Sequence, residues 1–216
     1  NNALFHTDAV QTVGHLPVNV QEMGIDLLSL SAHKFYGPKG VGALYLKKGT
    51  PYQSLMHGGS HENGRRASTL NTPGIVGLGK AAEIAIDEMN DEAVKIGNLR
   101  DHLWQQIQNE IDGVALNGDP NNRLPNNLNI TIDPVEGESV LMRLDLNGIG
   151  VSSGSACSSG SGKVSHVMTA IRKSKEQARG SIRLSLGRKT TEQEIDHTVI
   201  ILKETIQQLR SLSTSG

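Results

Sequence analysis

Ser31-Ala32-His33-Lys34-Phe35-Tyr36-Gly37-Pro38-Lys39-Gly40 is the stretch on which the fold turns. It follows an apolar run of strand length, residues 25–31 (IDLLSLS), and precedes another, residues 41–46 (VGALYL). Gly37, Pro38 and Gly40 force a tight turn in place of a crossover helix, so the two strands are expected to be antiparallel. A shorter strand, residues 4–7, ends at Asp8. Strands that are nearly continuously apolar suit a sheet covered on both faces, as in α/β proteins.

Downstream, residues 57–69 (HGGSHENGRRAST) follow neither period and read as a loop. Thr72-Pro73 then supplies an N-cap and a proline at the first helical position. Ile75, Ala82, Ile86, Met89, Ile96, Leu99, Leu103 and Ile107 continue at helical spacing, which predicts one long helix, with a break near Asn90-Asp91, joining one domain to another. Beyond Gly113 the elements shorten: a strand over 127–132, a helix over 138–146, a short strand over 148–152 and a strand over 181–186. Thr191-Glu192-Gln193-Glu194 is a capping box, and Ile195, Val199, Leu202, Ile206 and Leu209 follow as the buried stripe of a closing helix.

Composition narrows the function. In 216 residues, 21 Lys+Arg face 22 Asp+Glu for a net charge of −1, so nothing favours a nucleic-acid backbone as partner. Aromatic residues make up only 3% and glycines number 24, which suits an enzyme rich in tight turns better than a stacking platform. No run approaches the ~18 apolar residues of a membrane span, and the expectation is a soluble chain. One Cys can form neither an internal disulfide nor a multi-cysteine zinc site, and no basic-then-apolar leader is present, so a reducing cytoplasm is the expected compartment. The chain opens Asn1-Asn2-Ala3 without Met and runs at once into strand-like residues, so it is expected to be a fragment with something upstream.

Four features carry chemistry. Lys34 follows a buried strand beside a tight Gly/Pro turn; a partly desolvated amine there could react with a carbonyl, the alternative being a surface lysine. Asp8 ends another strand, where it could hold a pyridine nitrogen protonated or merely cap a turn. Ser153-Gly154-Ser155-Ala156-Cys157-Ser158-Ser159-Gly160-Ser161-Gly162 has no side chain larger than Cys, so Cys157 reads as an exposed, mobile thiol able to collect a group in one place and deliver it in another. In residues 181–187 alternation puts Ile182, Leu184 and Leu186 on one face and Arg183 with Ser185 on the other. Arg183 is then a bidentate partner for a carboxylate, a structural ion pair, or a solvent-facing residue.

Taken together, the chain resembles the cysteine desulfurases of the NifS/IscS class, fold-type I enzymes that use pyridoxal 5'-phosphate. The resemblance rests on Phe5-His6-Thr7-Asp8-Ala9-Val10-Gln11, residues 31–40, Ser152-Ser153-Gly154-Ser155-Ala156-Cys157-Ser158 and Ser181-Ile182-Arg183, colinear over essentially the whole chain. It implies an α/β fold: residues 1–75 the C-terminal part of a large, mostly parallel-sheet domain, 76–112 a connecting long helix, and 113–216 a small α+β domain carrying the Cys157 loop. It also implies site roles. Lys34 forms the Schiff base with the cofactor and shuttles protons at the substrate carbon; Asp8 pairs with the pyridinium nitrogen; Gln11 bonds the phenolic oxygen; Ser31 and His33 hold the phosphate. Thr69 reaches a phosphate in the partner subunit, hence a homodimer. Arg183 clamps the carboxylate of L-cysteine, and Cys157 takes the sulfur as a persulfide, leaving alanine.

The sulfur then passes to an acceptor protein, an iron–sulfur scaffold or a tRNA-thiolation enzyme. No permanent metal is expected, although the Cys157 persulfide could transiently ligate an iron–sulfur cluster. The Ser-Gly-Ser-Ala-Cys form resembles the long-loop desulfurases. The family's large domain begins well before Asn1 and its earlier part carries the ring-stacking His; His6, His15, His57 and His61 are not in that context, so weak cofactor binding is expected of these 216 residues alone. Three alternatives stand beside this: a non-catalytic fragment keeping a partner-binding surface, a selenocysteine lyase or other fold-type I lyase with Cys157 incidental, and a phosphate loop at Gly37-Pro38-Lys39-Gly40, which lacks the P-loop spacing.

Overall fold

In the computed structural model, residues 3–153, 165–171 and 173–213 are described. The chain divides into two compact units, 1–92 and 93–216.

In the first unit, β1 (His6–Asp8) lies parallel to β2 (Leu27–Ser31), which pairs antiparallel with β3 (Gly42–Leu46). The reversal expected at the Gly/Pro turn is therefore present. Gly42 is obligatory there, because a Cβ would fall 2.5 Å from the Leu30 carbonyl oxygen. Among the described residues the two faces are only partly covered. Leu28 is buried and Leu30 and Tyr45 pack on the buried clusters, whereas Leu44 is 43% exposed and Gly42 and Ala43 are open. In β2 Ser29 and Ser31 alternate with Leu28 and Leu30, while the register places Leu27, Leu44 and Leu46 on the face of the serines, so that face is mixed and partly open.

α1 (Thr72–Glu110) is continuous over 39 residues. Its cap is one residue earlier than expected: Asn71 Oδ1 accepts the Gly74 N–H at 3.2 Å, and Thr72 lies inside the helix. No break occurs at Asn90-Asp91, since the propensity penalty of each is below about 1 kcal/mol. Ala81 and Ala85 of α1 pack on Ala32 and Phe35.

In the second unit, β4 (Val114–Leu116), β5 (Asn127–Ile132) and β6 (Ser181–Ser185) form an antiparallel sheet in that order. α2 (Gly137–Leu146), two single-turn helices α3 (His166–Ala170) and α4 (Lys175–Arg179), and α5 (Glu192–Ser213) complete it. Ile96, Leu99, Leu103 and Ile107 recur every three or four residues along α1 and join Leu128, Ile130, Ile132, Ile182 and Leu202 in one buried core. The capping box of α5 is present, with Thr191 N–H donating to Glu194 at 2.8 Å and Glu194 N–H to the Thr191 hydroxyl at 3.3 Å. The strand expected over 148–152 reduces to one bridge, Ser152 to Arg183. β4, α3 and α4 are additional, each too short to carry a hydrophobic period. No described helix is long and apolar enough to cross a membrane.

Candidate active site

Parity and register gather the first set of residues. β1 and β2 are parallel and Asp8 pairs with Ser29, so His6, Asp8, Ser29 and Ser31 share one face of the sheet. Asp8 and Ser31 are the last residues of their strands, at the carboxyl edge where open α/β sheets bind ligands. His6 Nε2 lies 2.9 Å from the Ser29 hydroxyl.

Each strand leaves in a turn. After β1, Asp8 Oδ1 accepts the Val10 N–H at 3.0 Å, and the Thr12 and Val13 N–H groups both donate to Ala9 O; exposed Gln11 sits in this turn. After β2 comes a 3-10 turn, Ala32–Phe35, closed by Tyr36 at φ 65 and by the Gly37 N–H donating to Ala32 O at 2.8 Å. Gly37 admits no side chain, since a Cβ would meet the Ala32 Cβ and carbonyl oxygen at 2.9 Å. Buried Ala32 and Phe35 anchor the turn, which leaves Lys34 half-buried and His33 exposed between them. The Ser31 hydroxyl and His33 Nδ1 are 2.9 Å apart.

Asp8, Gln11, Ser31, His33 and Lys34 therefore meet at one end of one sheet. Thr69 is exposed in the loop that precedes α1. A cavity of about 610 Å³ along β3, bordered by Tyr45, Tyr52, Glu62, Arg65 and Arg66, includes none of these residues. Elsewhere in this unit, Asp26 accepts the Phe5 N–H at 3.0 Å and Lys47 Nζ at 3.1 Å, and those bonds hold its carboxyl below the usual aspartate value.

In the second unit the alternation of β6 holds: Ile182, Leu184 and Leu186 are buried, Ser185 exposed and Arg183 half-buried. Arg183 and Ser152 exchange two backbone hydrogen bonds, and Arg183 Nη2 donates to the Ser152 hydroxyl at 3.4 Å. Arg183 Nε is buried and without a partner among the described residues. Cys157 and most of its Gly/Ser segment lie outside the described residues.

Three contacts were invisible in the sequence: Ser29 with His6, Ser152 with Arg183, and His15 with the Lys34 carbonyl. Each joins residues at least 19 apart, so no local period reports it. The donor set at the sheet end fits pyridoxal phosphate chemically. An amine suits its aldehyde, a carboxylate its ring nitrogen, an amide its phenolic oxygen, and a hydroxyl with an imidazole its phosphate.

The chain is 56% identical over 209 residues to a cysteine desulfurase IscS of Dictyoglomus turgidum (strain DSM 6724 / Z-1310), covering 97% of this chain and 53% of that protein. Among solved structures, a NifS-like protein superposes with a TM-score of 0.85 at 37% identity, over 95% of this chain and 53% of its own. A structure described as SspA in complex with cysteine gives a TM-score of 0.66 at 36% identity, over 87% of this chain and 51% of its own. The chain thus spans about half the length of the relatives it matches, and its fold is that of the corresponding half of a fold-type I enzyme. The family model for Aminotransferase class-V matches residues 1–198, and the chain belongs to that family.

Proposed function

We propose that this chain is the C-terminal portion of a pyridoxal-phosphate-dependent cysteine desulfurase. The observation that carries the reading is the convergence of Lys34, Asp8, Gln11, Ser31 and His33 at the carboxyl ends of two parallel strands. When bound, the cofactor supplies an electron sink for the substrate's α carbon. Lys34 holds the cofactor and moves the proton at that carbon, Asp8 keeps the ring nitrogen protonated, and Gln11 orients the ring through its phenolic oxygen. Ser31 and His33 hold the phosphate, and Thr69 completes the phosphate site of a partner subunit in a homodimer.

Arg183 holds the L-cysteine carboxylate. Its half-buried guanidinium has no ion pair among the described residues, and an orphaned buried donor favours an anionic ligand. The Cys157 thiolate attacks the substrate sulfur: the carbon–sulfur bond breaks, a sulfur–sulfur bond forms, and the carbon takes a proton. The products are alanine and a Cys157 persulfide. The persulfide then serves an acceptor protein of iron–sulfur cluster assembly or tRNA thiolation in the cytoplasm. Because the chain spans half of its relatives' length, these 216 residues by themselves are expected to bind cofactor weakly.

Cys157→Ala in the complete protein tests the assignment. Sulfur release from L-cysteine should fall about a hundredfold or more while the cofactor's visible absorbance is kept. Unchanged turnover would remove Cys157 from the reaction and favour a selenocysteine lyase or another lyase of the family.

A further inference from the structure

Lys34 sits on a four-residue 3-10 turn, an element with few bonds of its own. Two neighbouring residues from the other turn of the site brace it. His15 is only 8% exposed, and its Nε2 lies 3.2 Å from the Lys34 carbonyl oxygen. A carbonyl only accepts, so Nε2 carries the hydrogen. Gly14, at φ 83, lies against Phe35 so closely that a Cβ would fall 2.4 Å from the Phe35 Cβ. Residues 14 and 15 thus grip residues 34 and 35. The His15 backbone N–H in turn donates to Thr12 O at 3.0 Å, and the Thr12 N–H to Ala9 O at 2.9 Å, in the turn that opens from Asp8.

We propose that His15 is a positioning residue for Lys34. Its imidazole ties the Asp8–Gln11 turn to the lysine turn, so that the amine is held at a fixed distance from the groups that hold the ring and phosphate. It touches a backbone carbonyl and no reacting atom. The inference rests on the reading of Lys34 as the cofactor-holding lysine. A core histidine of purely structural use would affect stability and leave the placement of the amine alone.

The test uses the complete protein with His15→Leu, which removes the donor, and His15→Gln, whose amide can donate from a similar reach. Amide exchange at Gly37 is measured without cofactor, and borohydride-trapped labelling of Lys34 at a fixed pyridoxal phosphate concentration. His15→Leu should speed Gly37 exchange and slow Lys34 labelling, each about tenfold, and His15→Gln should restore both. If His15→Leu fails to fold, His15→Asn, polar but too short, takes its place with the same expectation. Labelling at the wild-type rate in the Leu or Asn variant overturns the inference and leaves the reading of Lys34 intact. Wild-type label on another lysine overturns both.

Discussion

A half-buried guanidinium with no described carboxylate beside it is costly unless an anion arrives. Arg183 is such a group, and the geometry a planar fork offers a carboxylate is not reproduced by an ammonium. Arg183→Lys should therefore lower kcat/KM for L-cysteine about tenfold and Arg183→Ala about a hundredfold, mostly through KM, as read from initial rates of alanine formation. Asp26 makes a prediction of a different kind. Its folded carboxyl is held low by the Phe5 N–H and then by Lys47, so the unfolded chain binds its proton more tightly. Its stabilisation is whole above the ordinary aspartate value and fades as pH falls through the lowered folded one. Thermal midpoints of the protein and of Asp26→Asn should differ at about pH 6 and converge toward about pH 2. At this scale the strand end at Asp8 and the turn that carries Lys34 were legible from the apolar runs and the Gly/Pro signal, and the face of Arg183 followed from alternation. His15 was not legible, since its partner lies 19 residues away and an isolated histidine has no period.

Elements were legible where a period ran long enough. α1 shows its stripe over 39 residues, and its sequence misled at two points, the start, where Asn71 outcompetes Thr72 as cap, and the middle, where Asn90-Asp91 is too weak to interrupt. β4, three residues at a sheet edge, shows no alternation that could be read. The expected strand over 148–152 has glycines at 148 and 150, which weaken a strand, and among the described residues it pairs only at Ser152. The central strand β5 carries the second unit's core, with Ile130 and Ile132 fully buried against α1 and α5. Ile130→Ala should cost about 2–5 kcal/mol, measured by denaturant unfolding, because the cavity it leaves is ringed by packed side chains with little freedom to collapse. A loss below about 1 kcal/mol would mean that β5 is not the centre of that core.

For the whole molecule, the partly open face of the first sheet is the feature that composition concealed. Apolar residues make up 36% of the chain, and the runs around Lys34 suggested burial on both sides, yet the face that carries Asp8, Ser29 and Ser31 leaves Leu44 exposed. The chain spans 53% of the length of its Dictyoglomus relative, and the proposed activity is to be tested in the complete protein, with Lys34 as the proposed cofactor lysine and Cys157 as the proposed sulfur carrier. Lys34 as the proposed cofactor-holding lysine is open to a direct measurement. The complete protein should be incubated with pyridoxal phosphate, its absorbance spectrum recorded, and the adduct reduced with borohydride and mapped to a peptide. A visible band with the label on Lys34 is the expected result; a label on any other lysine, or a colourless protein with none, would contradict it.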